Sequence, residues 1–353
     1  MRLSPVDGLV AAGLGRPDVP PTPQALLAWR LAALSRAVRH AAAAPFYRER
    51  LGNLPPGFPH FIEEFETLPF TLASDLTEAH ARFLAVSQDD VARMVTLSTS
   101  GTTGAPKRVA FTTEDIEDIR HFFHIGIRTL VEPGDTVLIL MPGLRPDSIG
   151  DLLCQILPRL GAKGVLGDPT GDPAVLAADL RRLRPQTLVA APSQIRRAID
   201  APDVCAAARD CLRTILLSAE ALPDGWKTLL AERFGATVFD HYGATEMGYG
   251  GGVECEAFHG YHLRETEIYF EVVHMLTGDP LPEGEVGEVV FTTLTRRGMP
   301  FVRYRTGDAA AMLPGPCPCG SKLRRLGPIL GRIVHGPDGP QLTHPAKGAA
   351  NRP

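Results

Sequence analysis

The sequence predicts an α/β protein with doubly wound mixed sheets and a smaller antiparallel β lobe. Three observations carry that expectation. Short apolar, β-branched runs alternate with helical stretches between about residues 136 and 239. Ahead of them a loop rich in glycine and hydroxyls, Thr99 to Lys107, lies between two strand-like runs. After Gly260 the alternation gives way to closely spaced β-rich runs.

Taken in order, residues 23–44 read as a helix, with Leu26, Leu27, Trp29, Leu31, Leu34 and Val38 as its apolar stripe. Thr22 is placed to cap it and Pro23 to occupy the first helical position, while Pro45 should end or kink it. Residues 54–59 are a proline- and glycine-rich break. Residues 91–97 and 108–112 read as strands joined by the glycine-rich loop. A helix starts near Thr113, with Ile116, Ile119, Phe122 and Phe123 at helical spacing. Buried strands are expected at 136–141, 164–166, 187–190, 214–217 and 237–239, and helices near 149–157, 173–183, 193–198 and 225–234. Residues 267–273 and 287–293 supply the β lobe, and the proline- and glycine-rich stretch after His335 should be loose. The expected organisation is a helical segment over 1–90, an α/β nucleotide-binding core over 91–260, a β-rich lobe of the same large domain over 261–335, and a tail over 336–353.

Composition narrows the function classes. A chain of 353 residues can form one large domain or two lobes, because single cores stop growing near roughly 250 to 300 residues. With 22% charged residues and a net charge of −4 there is no electrostatic footprint for nucleic acid or an anionic membrane. No apolar run reaches the length of about 18 residues that suggests a membrane span, and Asp7 interrupts the amino-terminal apolar run, which argues against a signal peptide. A cytoplasmic location is expected, with the six cysteines as thiols or metal ligands rather than disulfides.

The loop from Thr99 to Lys107 reads as a phosphate cradle. Gly101 and Gly104 allow tight turns and close backbone approach, Ser100, Thr102 and Thr103 offer hydroxyl donors, and Lys107 supplies a cation. The Walker pattern fails, because Pro106 precedes the lysine and Arg108 follows it. Downstream, Tyr242 could stack on a purine and Glu246 could hold a hard cation, and later still Asp308 could accept ribose hydroxyls. Each feature alone is also ordinary loop chemistry.

Together and in this order, the loop, the Tyr-Gly-Ala-Thr-Glu run ending at Glu246 and the Tyr-Arg-Thr-Gly-Asp run ending at Asp308 resemble the motifs of the adenylate-forming superfamily. Within it the chain looks like the phenylacetate-CoA ligase branch, through the Pro-Phe-Tyr-Arg-Glu run from Pro45, Leu-Pro-Phe-Thr from Leu68, the Met299–Pro300 pair and the Cys317 to Gly320 turn. The resemblance implies ATP-dependent activation of a carboxylic acid, with Mg²⁺ and coenzyme A. It implies phosphate contacts from Thr99, Ser100, Gly101, Thr102, Thr103, Gly104 and Lys107, and Mg²⁺ on Glu246. Ser218, Ala219 and Glu220 would lie beside adenine, Tyr242 and Gly243 would flank the base, Thr245 would be a further nucleotide contact, Asp308 would hold the ribose, and Arg332 would sit near ribose and α-phosphate. The acid pocket is expected between about residues 119 and 144 and near 219–247, whose apolar and aromatic side chains favour an aryl or medium apolar acid.

Two departures qualify the resemblance. Val334 stands where the family's hinge aspartate belongs, and the residues after His335, with Lys347 as their one lysine, are too few for the mobile C-terminal domain. The expectation is therefore thioester formation weakened in the isolated chain, with a separate C-terminal domain or a homodimer as candidate partners. The contrasting reading is a non-catalytic binder of nucleotide or acyl-adenylate.

Cys255, Cys317 and Cys319 with one histidine would make a closed structural Zn²⁺ site. His262 is preferred by its resemblance in spacing to relatives of the branch, with His259 as the alternative. Cys154, Cys205 and Cys211 read as core thiols, and His121 and His124 as packed or solvated residues of the helix after the loop.

Overall fold

The computed structural model describes residues 3–97, 106–336 and 339–343. Thr99, Ser100, Gly101, Thr102, Thr103, Gly104 and Lys347 lie outside the described residues. The strands are β1 (Arg93–Leu97), β2 (Lys107–Phe111), β3 (Thr136–Ile139), β4 (Lys163–Leu166), β5 (Thr187–Ala190), β6 (Thr214–Leu217), β7 (Thr237–Tyr242) and β8 (Gly252–Val253). They continue as β9 (Tyr261–Leu263), β10 (Ile268–Val273), β11 (Gly287–Thr293), β12 (Tyr304–Ala310), β13 (Met312–Leu313), β14 (Arg325–Leu326), β15 (Gly331–Gly336) and β16 (Gly339–Thr343).

Among the described residues a nine-stranded sheet runs β13-β14-β9-β8-β7-β6-β5-β3-β4. Its β4-to-β7 half is parallel and the rest antiparallel. The parallel half is covered on both faces. Val137, Ile139, Val189 and Phe239 enter one core cluster while Leu138, Leu188, Ala190 and Val238 enter another, the period-two alternation that sends neighbouring side chains to opposite faces. Helices Ile149–Ile156 and Pro173–Leu183 make the crossovers between β3, β4 and β5. Because β4 and β5 flank β3 on opposite sides, the strand order reverses there, and such sheets open a crevice at the carboxyl ends of their strands.

A second, five-stranded antiparallel sheet runs β10-β11-β12-β15-β16. Strands β10 and β11 are buried along their whole length. Asp308 and Arg332 are direct cross-strand partners on β12 and β15. Strands β1 and β2 form a separate antiparallel pair whose last register pair is Leu97 and Lys107, so the glycine-rich segment joins the two strands of a hairpin.

Several boundaries differ from the sequence expectations for physical reasons. The first long helix stops at Ala41, and Pro45 starts the next helix, Pro45–Leu51, because a first-turn residue needs no N–H partner. The next long helix, Thr113–Ile127, starts at Thr113 as expected, and Thr112 caps it. Its hydroxyl accepts from Asp115 N–H at 3.2 Å while the Asp115 carboxylate accepts from Thr112 N–H at 3.0 Å. The helices Val6–Gly13 and Pro202–Arg209 lack a strong sequence signal and form by burying Val6, Leu9 and Val10, and Val204, Ala207 and Ala208.

Sheet membership also ignores the expected break at 260, since β9, β13 and β14 complete the nine-stranded sheet. The segment after residue 335 is not loose throughout: β16 pairs with β15 from Arg332–Thr343 to Gly336–Gly339, and a glycine at φ 101° lets the chain reverse. Among the described residues no helix is long and apolar enough to cross a membrane.

Candidate functional site

Strand β7 ends in Asp240, His241 and Tyr242, and the chain then turns sharply through Gly243. A Cβ at Gly243 would stand 2.5 Å from the Tyr249 carbonyl oxygen, so the turn admits only glycine. It delivers Glu246 into a buried position, where its Oε1 accepts from Lys107 Nζ at 2.5 Å and from the Tyr304 hydroxyl at 2.9 Å. Lys107 is the first residue of β2, immediately after the glycine-rich loop. Both bonds fall on Oε1, and Oε2 has no hydrogen-bond partner among the described residues. One carboxylate oxygen is thus free for a hard cation such as Mg²⁺.

The third motif meets the second. The Tyr242 hydroxyl donates to Asp308 Oδ2 at 3.0 Å, and Arg332 Nη1 donates to Asp308 Oδ1 at 2.5 Å. Burial raises the Asp308 carboxyl above its usual range against the pull of Arg332, and burial together with the Asp308 charge raises the Tyr242 phenol. Tyr242, Gly243, Ala219, Glu220, Asp308 and Arg332 all line one cleft of about 740 Å³ at the carboxyl ends of β6 and β7.

Beside this cleft lies an apolar cavity of about 60 Å³ between the helix Thr113–Ile127 and the ends of the parallel strands. Phe122, Ile127, Met141, Leu153, Leu216 and Phe239 line it. Ser218 lines this cavity and not the cleft, with its hydroxyl 2.9 Å from His241 Nδ1. Ala219 and Glu220 line the cleft, but the Glu220 carboxylate accepts from the Ser193 N–H at 2.9 Å and hydroxyl at 2.6 Å. Thr245 opens the short turn that carries Glu246.

A family profile described as AMP-binding enzyme matches residues 62–294. The chain belongs to the AMP-binding enzyme family. Two curated relatives identify the branch of this AMP-binding enzyme as phenylacetate-CoA ligase-like. The phenylacetate-coenzyme A ligase of Pseudomonas putida is 31% identical over 330 residues, covering 87% of this chain and 71% of the relative. That of Thermus thermophilus is 33% identical over 312 residues, covering 82% and 66%. The fold agrees with a solved 2-hydroxyisobutyryl-CoA ligase at TM-score 0.74 and 24% identity, covering 86% of this chain and 75% of that one.

Tyr304 and His241 were not singled out in the sequence. Tyr304 had a signal, its place inside the Tyr-Arg-Thr-Gly-Asp run. For His241 nothing local distinguishes it from Asp240 and Tyr242 on either side, since a histidine within an apolar strand end reads as an ordinary packed residue.

The expected metal ligands also converge. Cys255, His262, Cys317 and Cys319 are all buried, and their ligand atoms lie within 4.8 Å of one another. Cys255 and Cys317 sulfurs are 3.7 Å apart, and Cys319 Sγ is 3.7 Å from His262 Nε2. Zn–S bonds of about 2.3 Å give a tetrahedral edge of about 3.8 Å, so the four atoms fit a closed zinc site. His259 is engaged elsewhere, hydrogen-bonding the Arg325 guanidinium.

Proposed function

We propose that this AMP-binding enzyme activates a carboxylic acid with ATP and passes the acyl group to coenzyme A. A carboxylate oxygen attacks the α-phosphorus, the bond from that phosphorus to the bridging oxygen breaks, and pyrophosphate leaves with its electron pair. The coenzyme A thiol sulfur, giving up its proton, then attacks the acyl carbonyl carbon, and the bond from that carbon to the phosphate oxygen breaks as AMP leaves with its electron pair. The observation that carries this reading is the meeting of three separated motifs, with Lys107 and Tyr304 bonded to Glu246 and Tyr242 bonded to Asp308, beside a cleft that Tyr242, Asp308 and Arg332 line.

In this reading Asp308 accepts from the ribose hydroxyls once Arg332 swings toward phosphate, and Tyr242 packs against the base. Glu246 would hold Mg²⁺ through its free oxygen, where the ion would offset charge on the phosphates. Lys107, released from Glu246, supplies a further positive charge to the phosphate oxygens. The glycine-rich loop, including Thr99, Ser100, Gly101, Thr102, Thr103 and Gly104, supplies the remaining phosphate donors. The apolar cavity takes the body of the acid, which favours an apolar or aryl acid over a charged one. Incubation with ATP, Mg²⁺, labelled pyrophosphate and a library of monocarboxylic acids should give acid-dependent exchange of label into ATP. Nucleotide binding without exchange for any acid would replace this reading with that of a non-catalytic binder.

Cys255, His262, Cys317 and Cys319 hold a structural zinc ion that ties the β8–β9 connection to the turn before β14. Metal analysis of protein prepared without added metal should find about one zinc per chain, and Cys317→Ser should lose it and melt at lower temperature. A full-length, folded wild-type protein carrying no zinc would remove this assignment.

A further inference from the structure

The apolar cavity has one polar feature that its walls leave unanswered. His241 lines both it and the neighbouring cleft, at their junction, and Ser218 bonds only one of its ring nitrogens, Nδ1. The other, Nε2, has no partner among the described residues. Gly250 leaves this nitrogen bare: a Cβ there would stand 2.8 Å from Nε2. The neighbouring carboxylates are already occupied. Asp240 accepts from the Tyr261 hydroxyl and the His241 N–H, and Glu254 from Lys227 and the Asp240 N–H. Thr129, just beyond the end of the helix Thr113–Ile127, is the other hydroxyl on the lining, and it is only partly buried.

We propose that His241 sets acid specificity, selecting an apolar monocarboxylic acid that carries an uncharged hydroxyl within reach of Nε2. The inference rests on the adenylation reading above and adds a substrate class to it. Filling the cavity with a purely apolar body would strip water from Nε2 and give nothing back, a cost that a matching hydroxyl removes. Burial holds the imidazole down to about 4, so it is neutral at physiological pH and offers no cation to a second carboxylate. A hydroxyl both donates and accepts, so it suits either tautomer that the Ser218 bond permits.

The test is pyrophosphate exchange with matched acids: ring-hydroxylated phenylacetates against their ring-methylated counterparts, and hydroxybutyrates against methylbutyrates. The wild type should prefer the hydroxyl member of at least one pair by about 10- to 100-fold in kcat/KM. His241→Leu should collapse that ratio toward unity whatever its absolute rate, and His241→Gln, which keeps an uncharged hydrogen-bonding group, should retain part of it. Equal or better use of every methyl member by the wild type, or an unchanged ratio in His241→Leu, would overturn the role of His241 while leaving adenylation intact. No exchange with any acid would overturn the adenylation reading and this inference with it.

Discussion

Glu246→Gln is expected to lower acid-dependent pyrophosphate exchange by about 10²- to 10³-fold while leaving the melting temperature near that of the wild type. The amide keeps an oxygen that can accept from Tyr304 but loses the charge that pairs with Lys107 and would ligate Mg²⁺. Lys107→Met should cost a similar factor. Both residues serve the same phosphate charge and contact each other, so the double variant should lose much less than the product of the two single losses. Multiplicative losses would mean that the two act independently and that their contact is incidental. A Glu246→Gln enzyme with ordinary exchange would remove Glu246 from the magnesium role.

The parts of this architecture legible in the sequence are those fixed by local chemistry. The parallel strands at Thr187–Ala190 and Thr214–Leu217 and the helix Pro173–Leu183 follow from apolar runs, caps and breakers that need no distant partner. The lysine, Tyr-Gly and Tyr-Arg-Thr-Gly-Asp elements were readable because each is a compact motif, and their order along the chain named the family. What stayed hidden was set by pairings distant in sequence. The two-residue strands β13 and β14 exist because β14 pairs with β9, some sixty positions earlier, and nothing in Arg325–Leu326 itself marks a strand. Ser218 shows the same limit within the site. Its place beside Ala219 and Glu220 suggests the adenine side, and the hydroxyl lies 2.9 Å from His241 Nδ1 on the wall of the apolar cavity, a contact that no local pattern announces.

The largest expected effect on stability lies under the nucleotide motif, at an arginine whose role no motif announces. Arg303 is buried beside β12, donating to Glu271 Oε1 from Nη2 at 2.8 Å and to the Leu68 carbonyl at 2.7 Å, with its guanidinium 4.2 Å from the Phe70 ring centroid. Arg303→Met keeps much of the volume but leaves the Glu271 carboxylate buried without its cation, and about 3–5 kcal/mol of folding stability should be lost. Burial already raises the Glu271 carboxyl above the usual range, and Arg303 opposes that rise, so the substitution raises it further. Between the unfolded and the raised folded value the folded chain holds the extra proton, and stability therefore falls as pH rises through that window. The window is wider in Arg303→Met, so its deficit against the wild type should be larger at about pH 8 than at about pH 5 in urea melts. A deficit that does not change with pH would mean that Glu271 is not the group left exposed to the loss. Thr71 anchors the same stretch through backbone bonds to Arg303 and Arg305, on either side of Tyr304. Because Tyr304 bonds Glu246, a chain loosened at Arg303 should lose exchange activity on warming before its global unfolding transition.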